Sequence, residues 1–85
     1  MKIIKRNGTE VQFDELKITA AIEKANKEVV ETERLSEEDI DNITNNVKYQ
    51  CQKMNRALSV EEIQNLVEDE IMKLNAFSVA RKYIT

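Results

Sequence analysis

The run Lys2-Ile3-Ile4-Lys5-Arg6-Asn7-Gly8-Thr9-Glu10-Val11-Gln12-Phe13-Asp14 holds the one change of periodicity in the chain. β-Branched Ile3 and Ile4 lead into Asn7-Gly8, the strongest short hairpin signal, and Val11 and Phe13 follow at period two. A two-residue turn at Asn7-Gly8 sets Arg6 opposite Thr9, Lys5 opposite Glu10 and Ile4 opposite Val11. Ile4, Val11 and Phe13 then share the core face, and Lys5 pairs with Glu10 across the other.

Beyond Phe13 the period becomes helical. Asp14 is the expected N-cap of a first helix whose buried stripe is Ile18, Ile22, Ala25 and Val29. Residues 31–35 have no period and read as a loop. Ser36 opens a second helix: with Asp39 it resembles a capping box, and Glu37, Glu38 and Asp39 suit the positive end of the helix dipole. Its stripe is Ile40, Ile43, Val47, Cys51 and Met54, so Cys51 reads as a buried, inert thiol. Residues 55–58 connect to a third helix, opened by the capping box of Ser59 and Glu62, with Ile63, Val67, Ile71 and Leu74 inward and Asn75 as its stop. A fourth helix begins near Phe77, with Phe77, Ala80 and either Tyr83 or Ile84 inward. It is still periodic at Thr85 and shows no stop signal, so the chain is expected to be the N-terminal piece of a longer one. These elements define an α+β class, mainly helical: a four-helix bundle capped by an N-terminal β-hairpin, as one domain over 1–85.

Composition narrows the chemistry. The 85 residues hold at most one compact unit with a small core. There is no His, Pro or Trp, one Gly and one Cys. Cys/His zinc sites, His-containing triads and an internal disulfide are therefore excluded, and nothing demands an oxidising compartment. No apolar run approaches the roughly 20 residues of a membrane span, and no signal segment opens the chain. Gly-rich phosphate loops and internal repeats are missing. Glu37-Glu38-Asp39 and Glu68-Asp69-Glu70 fan out over about 200° of a helix and cannot converge on one cation. The first cluster reads as a dipole complement and the second as a solvated face.

Charge points to one corner. The net charge of −3 opposes non-specific nucleic-acid binding. Yet residues 1–27 carry six basic residues (Lys2, Lys5, Arg6, Lys17, Lys24, Lys27) against four acidic ones (Glu10, Asp14, Glu15, Glu23), a local +2. The remainder carries seven basic and twelve acidic, a local −5. If the hairpin packs over the start of the first helix, Lys5, Arg6 and Lys17 meet near free backbone N–H groups. That arrangement suits a polyphosphate, with an apolar floor beside it for a flat base.

Residues 2–18 resemble the opening of the ATP-cone domain: a hydrophobic-x-Lys-Arg-Asp-Gly turn, an apolar residue, and an acidic-x-x-Lys-Ile helix start. Asn7 stands where Asp is commoner and makes the same turn. The resemblance continues through Ala21-Ile22-Glu23-Lys24-Ala25, residues 58–68 (Leu-Ser-Val-Glu-Glu-Ile-Gln-Asn-Leu-Val-Glu) and residues 80–84. Residues 30–57 match in periodicity only. The resemblance implies a regulatory nucleotide-binding domain of the kind found at the N-terminus of ribonucleotide reductases. There ATP and dATP compete: ATP keeps the enzyme active, and dATP shuts it down by changing oligomeric state or substrate access. Such domains also occur in a transcriptional repressor of reductase genes, behind a Cys-rich zinc ribbon. Here Met1 begins at the hairpin with no such leader, which favours the reductase. Residues 60–64 and 80–84 look most like the anaerobic, glycyl-radical ribonucleoside-triphosphate reductase.

The implied site follows position by position. Lys5, Arg6 and Lys17 meet phosphates. Val11, Gln12, Phe13 and Asp14 run along base and sugar. Ile18, Val60, Ile63 and Gln64 line the pocket, with Val60 and Gln64 standing where other cones have Thr and His. A further basic residue late in helix four is expected beyond Thr85. The implied effectors are ATP and dATP with Mg2+. The implied partners are the catalytic domain of the same longer chain and a homo-oligomer formed through the cone, with no nucleic acid and no membrane, in the cytoplasm. No catalytic residue and no metal ligand is expected within these 85 residues. The competing expectation is a small helical protein-interaction module, marked by an exposed apolar patch without a basic pocket.

Overall fold

The hairpin is formed by β1 (Lys2–Ile4) and β2 (Glu10–Gln12) in a computed structural model that describes residues 1–84. Helical periodicity at Thr85 lies outside the described residues. The observed pairs are Lys2 with Gln12, Ile3 with Val11 and Ile4 with Glu10, one residue out of the expected register. The turn chemistry explains the slip. Gly8 N–H donates to Lys5 O at 2.9 Å, Lys5 N–H donates to Thr9 O at 2.8 Å, and Gly8 has φ +86°. Three residues, Arg6, Asn7 and Gly8, therefore form the loop, with Gly8 as a left-handed bulge rather than as half of a two-residue turn. The Asn7 carboxamide reinforces it by accepting from Thr9 N–H at 3.0 Å.

Because side chains alternate along a strand, this slip turns those of β1 over relative to β2, while Val11 and Phe13 keep the expected inner face. Ile3, not Ile4, is buried, while Ile4 is exposed. Glu10 pairs with Lys2 at 4.0 Å instead of with Lys5. Lys5 joins Ile3 and Val11 on the inner face. A third strand, β3 (Leu58–Ser59), runs parallel to β1 and gives a sheet of order β2-β1-β3. Sequence reading makes Leu58 the end of a connection and Ser59 a helix cap, because two residues are too few for a period-two signal.

Among the described residues four helices follow: α1 (Glu15–Lys27), α2 (Glu37–Met54), α3 (Val60–Lys73) and α4 (Phe77–Ile84). Each helix packs on two others, α1 on α2 and α4, and α3 on α2 and α4, closing a ring. The starts of α1, α2 and α3 are capped at the expected residues, with only half of the expected box at Ser36. Asp14 accepts from Leu16 N–H, Ser36 from Asp39 N–H, and Ser59 with Glu62 forms a full reciprocal box. Asn55 and Asn75 end α2 and α3 in the left-handed region, at φ 52° and 59°. A single 3₁₀ turn (Glu31–Glu33) occupies part of the expected loop. Leu35 is buried behind it, its N–H and C=O both bonded to the Asn26 carboxamide at 2.8 and 3.0 Å.

The helical stripes hold with three exceptions. Met54 and Leu74, at the ends of their stripes, are exposed. In α4 the buried residues are Val79 and Ala80, with Tyr83 half-buried, whereas Phe77 and Ile84 are exposed. Ala80 and the Tyr83 alternative thus face inward as expected, and only Phe77, in the first turn, gives its place to Val79, which packing against α1 and α3 buries. Glu70 also departs from the expected solvated face. It is buried and holds Asn46 Nδ2 and Gln50 Nε2 at 3.0 Å each and Lys73 Nζ at 2.9 Å, tying α3 to α2. Cys51 is buried on its stripe; burial, and then the charge of Glu62, push its thiol up.

Candidate functional site

The inner face of the sheet, the first half of α1, the first turns of α3 and Tyr83 of α4 enclose a cavity of about 250 Å³. Apart from Arg6, every candidate residue from the sequence lines it: Lys5, Val11, Gln12, Phe13, Asp14, Lys17, Ile18, Val60, Ile63 and Gln64. Ile3, Ala21 and Tyr83 complete the wall. Lys5 reaches it only because of the observed register. In the expected register it would face solvent beside Glu10.

Arg6 stands outside. It is next after Lys5, at the start of the loop, and its Nε donates to Glu61 Oε1 at 3.1 Å. The Arg6 side chain is 88% exposed. An intrinsic hydrogen bond to its own backbone, and then Arg6, hold the Glu61 carboxyl below the usual range.

A second cavity of about 460 Å³ adjoins the first and shares Ala21, Gln64 and Tyr83 with it. Its other walls are Lys24, Ala25, Glu28 and Lys82. Small-molecule pockets run from about 300 to 1,000 Å³, so the first chamber alone is small, whereas the two together are ample. The candidate set lacked Lys24, although the spacing of Lys17, Ala21 and Lys24 puts them on one face of α1 and signals the role. Lys82 arrives through the packing of α4 and has no local signal. Tyr83 stands where the chambers meet. Burial, and then Glu68, push its phenol up, so it presents a neutral hydroxyl.

The helix starts around the cavity are not free anion sites. Asp14 Oδ1 takes the Leu16 N–H at 3.0 Å, and Asp14 O accepts from Lys17 N–H at 3.1 Å. Ser59 and Glu62 occupy the start of α3. The expectation of free N–H groups beside the cavity is therefore corrected at α1, and the cations that line it are the side chains of Lys5 and Lys17. Glu62 does structural work instead. Arg56 grips it through two nitrogens, at 3.2 and 2.6 Å, and Ser59 N–H donates to it at 3.0 Å. These contacts hold its carboxyl down at about 2 and fix the turn of α3 that carries Val60, Ile63 and Gln64.

Among the described residues no group of three or more Cys, Asp or Glu side chains is placed to hold a metal ion. No helix there is long and apolar enough to cross a membrane. A concave site with apolar walls and lysines at its edge is shaped to take a ligand with one flat apolar part and one anionic part. The chain belongs to the ATP cone domain family, which matches it over residues 1–85.

Its relatives include the ribonucleoside-diphosphate reductase subunit alpha of Chlamydia trachomatis, 33% identical over 99% of this chain and 9% of that protein. The subunits of the same name from Chlamydia muridarum and Chlamydia pneumoniae are 28% and 30% identical, over 99% and 96% of the chain. The chain thus spans about 9% of the length of the relatives it matches. All three carry the name of a diphosphate reductase, in contrast to the anaerobic triphosphate enzyme that the wording of residues 60–64 and 80–84 suggested.

Proposed function

We propose that this domain is the ATP/dATP sensor that sets the overall activity of a ribonucleotide reductase. The observation that carries the reading is the strand register: it brings Lys5 to the face of Ile3 and Val11, so that Lys5 and Lys17 flank an apolar cavity. A purine lies against Phe13, Ile18, Val60 and Ile63. The phosphates lie toward Lys5 and Lys17, where charge-assisted hydrogen bonds are the stronger kind. Mg2+ arrives with the phosphates, since the site offers no cluster of its own.

ATP and dATP differ by one hydroxyl, so discrimination rests on the groups that meet the sugar, among them Gln12, Asp14 and Gln64. Binding free energy can shift the attached catalytic domain, or an oligomer formed through the cone, only by the difference in affinity between its two states. The names of the relatives favour a diphosphate reductase as the parent enzyme over the anaerobic triphosphate one, and a cytoplasmic setting goes with either. Titration calorimetry of the chain with ATP, dATP and GTP, each with Mg2+, tests the reading. Heat from the adenine nucleotides is expected; no binding by any of the three ends it.

A further inference from the structure

We infer that Glu61 is a positioning residue of this site: it holds Arg6 off the cavity, and a bound polyphosphate takes Arg6 over from it. The inference rests on the nucleotide reading above. Lys5 and Val60 both line the cavity, and Arg6 and Glu61 are their immediate successors in the chain. The Arg6–Glu61 pair lies outside the cavity wall and joins the hairpin loop to the first turn of α3, one residue beyond the lining on each element.

The contact has the character of something made to exchange. It is a single Nε to Oε1 bond of 3.1 Å between side chains that are 88% and 48% exposed. Ion pairs of this kind are weak and screened by water. A phosphate offers a guanidinium more charge and a two-point geometry. The neighbouring pair is also exposed but is held at more points: Arg56 binds Glu62 through both terminal nitrogens, and Glu62 also closes the capping box. With that box complete, the start of α3 does not depend on Glu61. A carboxylate at the edge of an anion site opposes the ligand, and here it does so through one specific cation. The ligand must also be long enough to reach the rim, so the exchange favours a polyphosphate over a nucleoside.

The test is a double-mutant cycle by titration calorimetry on the 85-residue chain. The four proteins are wild type, Glu61→Gln, Arg6→Ala and the double variant, each titrated with Mg-ATP, inorganic tripolyphosphate and adenosine. Glu61→Gln is expected to tighten ATP and tripolyphosphate about two- to fivefold and leave adenosine unchanged. Arg6→Ala should weaken both anions, and adding Glu61→Gln to it should change nothing. Equal tightening in the Arg6→Ala background would reduce Glu61 to bulk charge and overturn the inference, as would no tightening at all. If tripolyphosphate shows the coupling and ATP does not bind, the exchange stands and the nucleotide reading falls. If neither anion binds to wild type or Glu61→Gln, both fall.

Discussion

Lys5 and Lys17 carry the electrostatics of the cavity without holding up the fold, since both side chains are exposed. Lys5→Glu and Lys17→Glu should each weaken ATP binding at least about tenfold by calorimetry while leaving the helical circular dichroism unchanged. Glu70 is the opposite case. Burial raises its carboxyl pKa, but the bonds from Lys73, Asn46 and Gln50 outweigh that and hold it below its ordinary value. Glu70→Ala strands two carboxamides at the α2–α3 seam and should cost about 1–3 kcal/mol in urea unfolding. Glu62 gives the molecule an acid limit. Its folded pKa, about 2, lies below the ordinary 4.5, so its contribution is present above pH 4.5 and fades as the pH falls towards 2. Glu62→Gln should flatten the loss of stability across that window, read as melting temperature against pH.

Elements whose evidence is local were legible. The stripes of α1, α2 and α3 repeat over several turns, and the caps at Asp14, Ser36 and Ser59 lie beside them. The hairpin was legible as a hairpin but not in its register, because Asn-Gly suits a two-residue turn and also the end of a three-residue loop. That ambiguity decided which way Lys5 faces. α4 is only eight residues long, and so short a run does not fix its own phase. Ten residues of the cavity wall were named through the ATP-cone resemblance, but Ile3 and Ala21 were not, and Tyr83 in this cavity and Lys82 in the adjoining one arrive through long-range packing. The loop itself makes a clean prediction. A Cβ on Gly8 would meet nothing within 4 Å, so Gly8→Ala suffers only from its positive φ. It should lower stability by about 1–2 kcal/mol, and Gly8→Asn should recover part of that.

At the scale of the whole molecule, the cavity draws on the hairpin, α1, α3 and α4, and so on residues as far apart in the chain as Ile3 and Tyr83. A ligand there binds the folded state alone. At a hundred times its dissociation constant ATP should add about 2.7 kcal/mol, a rise of roughly 10–20 °C in melting temperature. β1 is the central strand, and one of its two neighbours is β3, so Ile3 pairs with Leu58 across more than half of the sequence. On a ribosome, the opening strand must wait for that partner to emerge. Until α3 and then α4 follow, the early helices can form but the cavity has no far wall. The proposed nucleotide binding would therefore report only that the strands and helices of this domain have emerged, and a nascent chain halted in α2 should be blind to ATP.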